Sequence, residues 1–412
     1  MDEEKRLQQR LQRIGRKKST RTPSIANSER MFPGTQPGEA RETPHGTAYI
    51  IENQYPGSQE HGLYPLNKVV DFEPKAAAEI AVDPSLEETA LEGLVFLDTE
   101  TTGLAGGAGT VVFLVGVGKF VEGEFLLRQY FLRDLGEERA MLYAIESDLE
   151  TSKGFITFNG RTFDVPLLEM RYTVGMRKRY QLTGWPHLDL LYPARRLWRR
   201  ALPDCRLNTI EREVLGVQRS GEDVPGEQIP GLYLDYLRTG NAGEMERVIY
   251  HNAIDILSLV ALTVEILDRH QMDGLPNLSG SEALGLARWH QAAGRSDPAE
   301  LAYLAAIESS DPNVRLEALR HHTAFLKRMN RRDQAVDGWM LWHALQPGDP
   351  RPCIELSMYY EWHAKDLEKG KTWAEAGMSC LADWADDWQS EEISNDLQHR
   401  IGRLQRKLEK GT

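Results

Sequence analysis

Cysteine is almost missing from this sequence. Its 412 residues contain three, Cys205, Cys353 and Cys380, and none forms a CxxC pair. That scatter argues against a disulfide framework or a zinc site and predicts ordinary buried or half-buried thiols. A run of about 18 apolar residues is missing too, which argues against a membrane span. The opening residues MDEEKRLQQR lack the apolar core of a secretory signal. A cytoplasmic chain with no membrane partner is the expectation. Excess positive charge is a further absence. The net charge of −13 argues against a protein that coats nucleic acid by bulk electrostatics. It does not exclude an enzyme that meets phosphates through bound cations, because the ions bring the charge. A phosphate loop is lacking as well: GGAG, Gly106–Gly109, has no Lys-Ser or Lys-Thr after it and reads as a turn.

What is present falls into four stretches. Residues 1–43 read as a basic arm followed by a flexible linker rich in Ser, Thr, Pro and Gly. Residues 44–91 read as an N-terminal extension, partly extended, with His45 and His61 as surface histidines. Residues 92–270 alternate strand and helix patterns. GLVFLD, TVVFLVGVGKF and EFLLRQYFL, the last pair joined at Glu122-Gly123, predict three sequential antiparallel strands. GEERAMLYAIESDLE, RLNTIEREVLG and the long run from Gly243 to His270 carry helical periodicity. Residues 279–412 are helical throughout. Small residues fall five positions after a turn three times: Ala299 after Gly294, Ala335 after Asn330 and Gly370 after Lys365. That period is the one of tetratricopeptide-like helix–turn–helix repeats. Trp339, Trp342 and His343 read as the core of those repeats.

Three acidic pieces stand out. Asp98 and Glu100, in FLDTETTGL, are two apart at a strand end, so they share a face and repel each other unless protonated or bound to a cation. Asp164, in FNGRTFDVP, follows a second apolar strand between Phe163 and Val165; capping a helix would be its structural use. Asp255, in YHNAIDILSL, interrupts an apolar helix stripe, with His251 one turn earlier on the same face. A carboxylate in such a stripe needs a partner or a ligand. The pair is either a structural hydrogen bond or a base beside a metal ligand. His187 and Asp189, in HLDLLYP, read as positioning groups.

Taken in order, FLDTETTGL, AGGAGTVVFLVGVG, FNGRTFDVPLL, HLDLLYPARRLW, RLNTIEREVLGV, DVPGEQIPGLY and HNAIDILSLVAL resemble the DEDD-type 3′→5′ exonucleases, and within them the bacterial YprB-like proteins. The resemblance implies an α/β ribonuclease H-like domain with a mixed sheet and flanking helices, followed by an all-α repeat domain. It implies that Asp98, Glu100 and Asp255 hold one Mg²⁺ or Mn²⁺, and that Asp98 and Asp164 hold a second. His251 would be the general base, with Tyr250 beside it as the alternative. Thr101 and Leu104 fall where related enzymes touch the terminal nucleotide, with Leu104 packed on the last base. Asn159 joins them as a substrate contact, although its spacing to Asp164 is one residue longer than in proofreading exonucleases. Phe163 would support Leu104, but a core position suits it better. The implied substrate is DNA or RNA with a 3′ end, and the repeats would offer a surface to a protein partner. A non-catalytic adaptor working through the repeats is the competing expectation.

Overall fold

A computed structural model describes residues 38–103, 109–220, 223–271, 278–381 and 388–411. Contacts divide the chain into two units, Met1–Asp273 and Gly274–Thr412.

The first unit is built on a seven-stranded sheet. Its strands are β1 (Glu39–Thr43), β2 (Gly46–Tyr55), β5 (Val95–Thr101), β6 (Val112–Val121), β7 (Glu124–Phe131), β8 (Phe155–Thr157) and β9 (His187–Asp189), in the order β1-β2-β7-β6-β5-β8-β9. A separate two-stranded ribbon pairs β3 (Glu60–His61) with β4 (Tyr64–Pro65). The helices are α1 (Pro74–Ala81), α2 (Glu138–Leu149), α3 (Asp164–Arg171), α4 (Leu191–Trp198), α5 (Leu207–Ile210), α6 (Ile229–Thr239) and α7 (Gly243–Gln271). The three sequential strands form as expected: β5, β6 and β7 are antiparallel neighbours. Glu122 and Gly123 both take positive φ in the two-residue turn between β6 and β7, which matches the strands' right-handed twist.

One feature of the extension differs from its sequence reading. It is part of the sheet, since β2 pairs antiparallel with β7 along seven residues and β1 closes the edge. Sequence periodicity shows a strand but not its partner, and this partner lies far along the chain. His61 is also no surface histidine. It is half-buried against α7, bonded to Ser258 Oγ at 2.9 Å, and burial holds its pKa down at about 4.

Strand direction explains where chemistry can gather. β5 is antiparallel to β6 but parallel to β8, and β8 is parallel to β9. The carboxyl ends of β5, β8 and β9 therefore open on one edge, the usual place for a ligand site in such sheets. Helix α7 crosses that region. By length and composition it is apolar enough to span a membrane, with mean hydropathy 1.4, yet 72% of its most apolar window is buried inside the protein. It is a core helix. Glycines in β6 let it lie close: a Cβ at Gly116 would stand 2.5 Å from Asn252 Oδ1, and one at Gly118 would stand 2.7 Å from Ile256.

Among the described residues, the second unit forms three helical hairpins and a closing helix. The hairpins are α8 (Gly280–Ala292) with α9 (Ser296–Ile307), α10 (Pro312–Arg328) with α11 (Arg332–Leu345), and α12 (Pro350–Trp362) with α13 (Leu367–Cys380); α14 is Trp388–Gly411. Gly294, Asn330 and Lys365 all adopt left-handed φ at the three hairpin turns. Ala299, Ala335 and Gly370, five residues on, are buried between the paired helices. α10 and α12 both begin with Asp-Pro: Asp311 and Asp349 accept the backbone N–H two residues later, and the proline fills a position whose N–H has no helical acceptor.

Candidate active site

Register places the first carboxylate. Asp98 pairs with Gly116, and Gly116 pairs with Gln129, so the three lie side by side across β5, β6 and β7. The gap above Gly116 admits Asn252 from α7. Its Nδ2 donates to Asp98 Oδ2 at 2.8 Å, and its Oδ1 accepts from Gln129 Nε2 at 2.8 Å. Gln129 Nε2 also donates to Ile249 O at 2.8 Å. Asp98 is thus held by a buried amide relay, and Glu100 shares its face two residues on.

Asp164 comes from the end of β8. It is the first residue of α3 rather than its cap, which is Phe163. The Thr99 hydroxyl donates to Asp164 Oδ1. Asp189, at the end of β9, shapes the loop before it: its carboxylate accepts from the backbone N–H of Asn159 at 2.7 Å and of Arg161 at 3.0 Å. His187 bonds Thr157 Oγ1 at 2.8 Å, and burial holds it neutral, with a pKa of about 3. Both residues position the loop, as their sequence reading had them.

Helix α7 supplies the remainder. His251 Nδ1 lies 2.8 Å from Asp223 Oδ1 and 3.1 Å from Arg219 Nη1, so the carboxylate and the guanidinium meet at the same ring nitrogen. Nε2 then faces Asp255 Oδ2 at 3.5 Å and Glu100 Oε1 at 4.0 Å. Arg219 reaches the other side of Asp255. It is bidentate on buried Glu211, at 2.6 and 2.7 Å, and its guanidinium donates to Asp255 Oδ1. Tyr250 turns its hydroxyl to the Ser220 backbone N–H at 3.1 Å, away from this exchange.

The electrostatics are those of crowded acids. Burial, then the charges of Asp255 and Asp164, raise Asp98 well above the usual carboxylate range. Burial, then Asp98, Asp255 and Asp164, do the same to Glu100. Burial raises Asp164 to about 6 and also raises Asp255, whose rise His251 and Arg219 oppose. For His251 burial works against charge, but the Asp223 hydrogen bond and the Asp255 charge win and raise it. Four carboxyl groups in mutual repulsion cannot all be anionic here unless a cation joins them. Among the described residues they do not bring three ligand oxygens within 4.8 Å of one another. Arg219 donates to Asp255 and Thr99 to Asp164.

The sequence-predicted set is therefore brought together at Asp98, Glu100, Asp164, Asp255 and His251. Thr101 adjoins it, with its hydroxyl donating to Gly103 O at 2.8 Å. Asn159 takes left-handed φ, and its side chain accepts from Thr162 Oγ1 within the loop. Phe163 is 51% exposed, which overturns the core reading. Leu104 and most of GGAG lie outside the described residues. Sequence reasoning missed Asn252, Gln129, Glu211, Arg219 and Asp223. An uncharged amide inside the apolar stretches YHNAIDILSL and EFLLRQYFL is a signal for the first two; nothing local marks the others as neighbours.

A family model described as RNase_H superfamily matches residues 95–267. The chain is also 32% identical over 372 residues to the protein named "Uncharacterized protein YprB" of Bacillus subtilis (strain 168), covering 87% of this chain and 86% of that one. The chain belongs to the YprB family of ribonuclease H-like proteins. In this YprB-family chain the matched segment contains every carboxylate of the site. Its ribonuclease H-like domain supports a nuclease-type function on a nucleic-acid substrate, and domains of this fold typically bind divalent metal ions.

Proposed function

We propose that this YprB-family protein is a two-metal-ion 3′→5′ exonuclease that trims single-stranded DNA or RNA ends to 5′-mononucleotides. The observation that carries the reading is the meeting of Asp98, Glu100, Asp164 and Asp255 at the open edge of β5 and β8, with His251 Nε2 turned toward them. The donor set fits Mg²⁺ or Mn²⁺, because it is all carboxylate oxygen and the mutual repulsion calls for positive charge. Asp98, Glu100 and Asp255 would hold one ion, and Asp98 with Asp164 the other. Bound there, the pair would polarise the attacking water and neutralise charge at the departing 3′ oxygen.

The protein's own groups do the rest. Asn252, braced by Gln129, fixes Asp98, the carboxylate that would serve both ions. Asp223 holds the His251 ring through Nδ1 and leaves Nε2 facing the carboxylates, where it would take a proton from water. That orientation favours His251 over Tyr250 as base, since the Tyr250 hydroxyl is occupied by Ser220. Arg219 carries positive charge beside Asp255, close enough to meet a phosphate oxygen once the carboxylates gather around cations. Exposed Phe163, next to Asp164, offers a ring on which the terminal base can stack.

The test uses one oligonucleotide labelled at either end, and a circular single strand. With Mg²⁺ or Mn²⁺, the 3′ label should leave at once as a mononucleotide, the 5′-labelled strand should shorten stepwise, and the circle should survive. Cleavage of the circle, or loss of the 5′ label first, would refute exonucleolytic action from the 3′ end.

A further inference from the structure

The second unit contains a donor cluster that the nuclease reading does not use. His343 lies in the last turn of α11, Cys353 in the first turn of α12 and Cys380 at the end of α13. One ligand atom from each lies within 4.8 Å of the other two. His343 Nδ1 is 3.4 Å from Cys353 Sγ. Both thiols are buried, and Cys380 Sγ donates to Pro347 O at 3.0 Å. Two features frame the cluster. Gly377, one turn before Cys380, lets α13 close on α12, since a Cβ there would stand 3.3 Å from the Cys353 Cβ. The Trp373 ring meets His343 edge-on at 5.5 Å and fixes the imidazole plane.

We propose that His343, Cys353 and Cys380 form a binding site for one Zn²⁺-class ion that staples three consecutive helices of the second unit. Two thiolates and an imidazole are soft and borderline donors, which select zinc or cobalt over magnesium. Loading would release both thiol protons to solvent. The two thiolate charges then cancel the ion's charge, leaving a neutral complex that a buried site can hold. A water or the Pro347 carbonyl would complete a tetrahedral set. The imidazole favours an ion over a Cys353–Cys380 disulfide, because a disulfide gives the facing nitrogen nothing to bind. The third cysteine, Cys205, belongs to the first unit and serves as a control.

The experiment is a Co²⁺ titration of the full-length, reduced, metal-stripped protein, read by absorption. The expected result is a thiolate-to-cobalt charge-transfer band that saturates at one ion per chain and is displaced by Zn²⁺. Cys353→Ser and Cys380→Ser should abolish it, and His343→Ala should weaken binding about tenfold or more. Cys205→Ser and Asp98→Ala should leave it unchanged, which separates this site from the carboxylates. A wild-type protein with no band would overturn the proposal. So would a band that survives both Ser variants, or a Cys353–Cys380 disulfide in the purified protein with no metal uptake.

Discussion

The two donor clusters of this chain differ in what they need when no ion is bound. The carboxylate cluster at the sheet edge is charged, crowded and in mutual repulsion. Arg219, Thr99 and Asn252 are each enlisted to hold one of its members. The His343, Cys353 and Cys380 cluster has no carboxylate in it, and each thiol already has a hydrogen-bond or ring neighbour. The first is therefore strained without a cation and suited to reaction. The second is at rest without one and suited to structure. The difference follows from topology. Parallel strand ends force remote acids into one place, whereas stacked helix ends meet through small residues and leave room for sulfur.

The largest expected effect bears on the acidic cluster. Asp98→Asn should lower nuclease rate by roughly 10⁴-fold, because the shared ligand and several kcal/mol of charge stabilisation are lost. The same variant should raise the melting temperature of the metal-free protein, since it removes repulsion; a marked fall would show that Asp98 is structural. His251→Ala should cost about 10²–10³-fold, and Tyr250→Phe little. Asp223→Asn sharpens this. It removes the bond that raises His251, so the ascending limb of the pH–rate profile should move to lower pH. An unmoved limb would assign the proton to another group.

Smaller effects test the supports. Asn252→Ala should reduce rate about 10–100-fold by releasing Asp98, and Gly116→Ala should do the same by displacing Asn252. The metal-free protein should also lose stability as pH rises. Folded carboxylates with raised pKa bind more protons than unfolded ones, so their contribution is full below the ordinary carboxylate pKa of about 4 and fades through about 6, where Asp164 titrates. Mg²⁺ should reverse that loss at neutral pH, whereas Zn²⁺ bound by the thiols should not. Phe163→Ala should raise KM about fivefold, near the lower limit for one stacked base, with kcat unchanged.

Much of this was legible in the sequence where the signal is local. Alternating apolar runs gave β5, β6 and β7, and the acid pieces with His251 marked residues that the fold brings near one another. Turn residues gave the helical hairpins, at Gly294, Asn330 and Lys365. What the sequence hid was pairing across distance. β2 joins β7 from a stretch that reads as an appendage. Asn252 meets Asp98 only because Gly116 has no side chain. Arg219, Glu211 and Asp223 close on α7 from loops and a short helix. Cys353 and Cys380 are a helix apart and share no motif, so their approach depends on how α12 and α13 pack.

The central claim is that the carboxylates form a divalent-metal nuclease site. The most direct measurement is Mg²⁺- and Mn²⁺-dependent hydrolysis of 3′-labelled single-stranded DNA and RNA by the wild type, Asp98→Ala and Asp255→Ala, with folding checked by circular dichroism. The expected result is metal-dependent release by the wild type and none by either folded variant. Equal activity in all three, or none in the wild type with either metal, would contradict it; the second result would favour an adaptor that works through its helices.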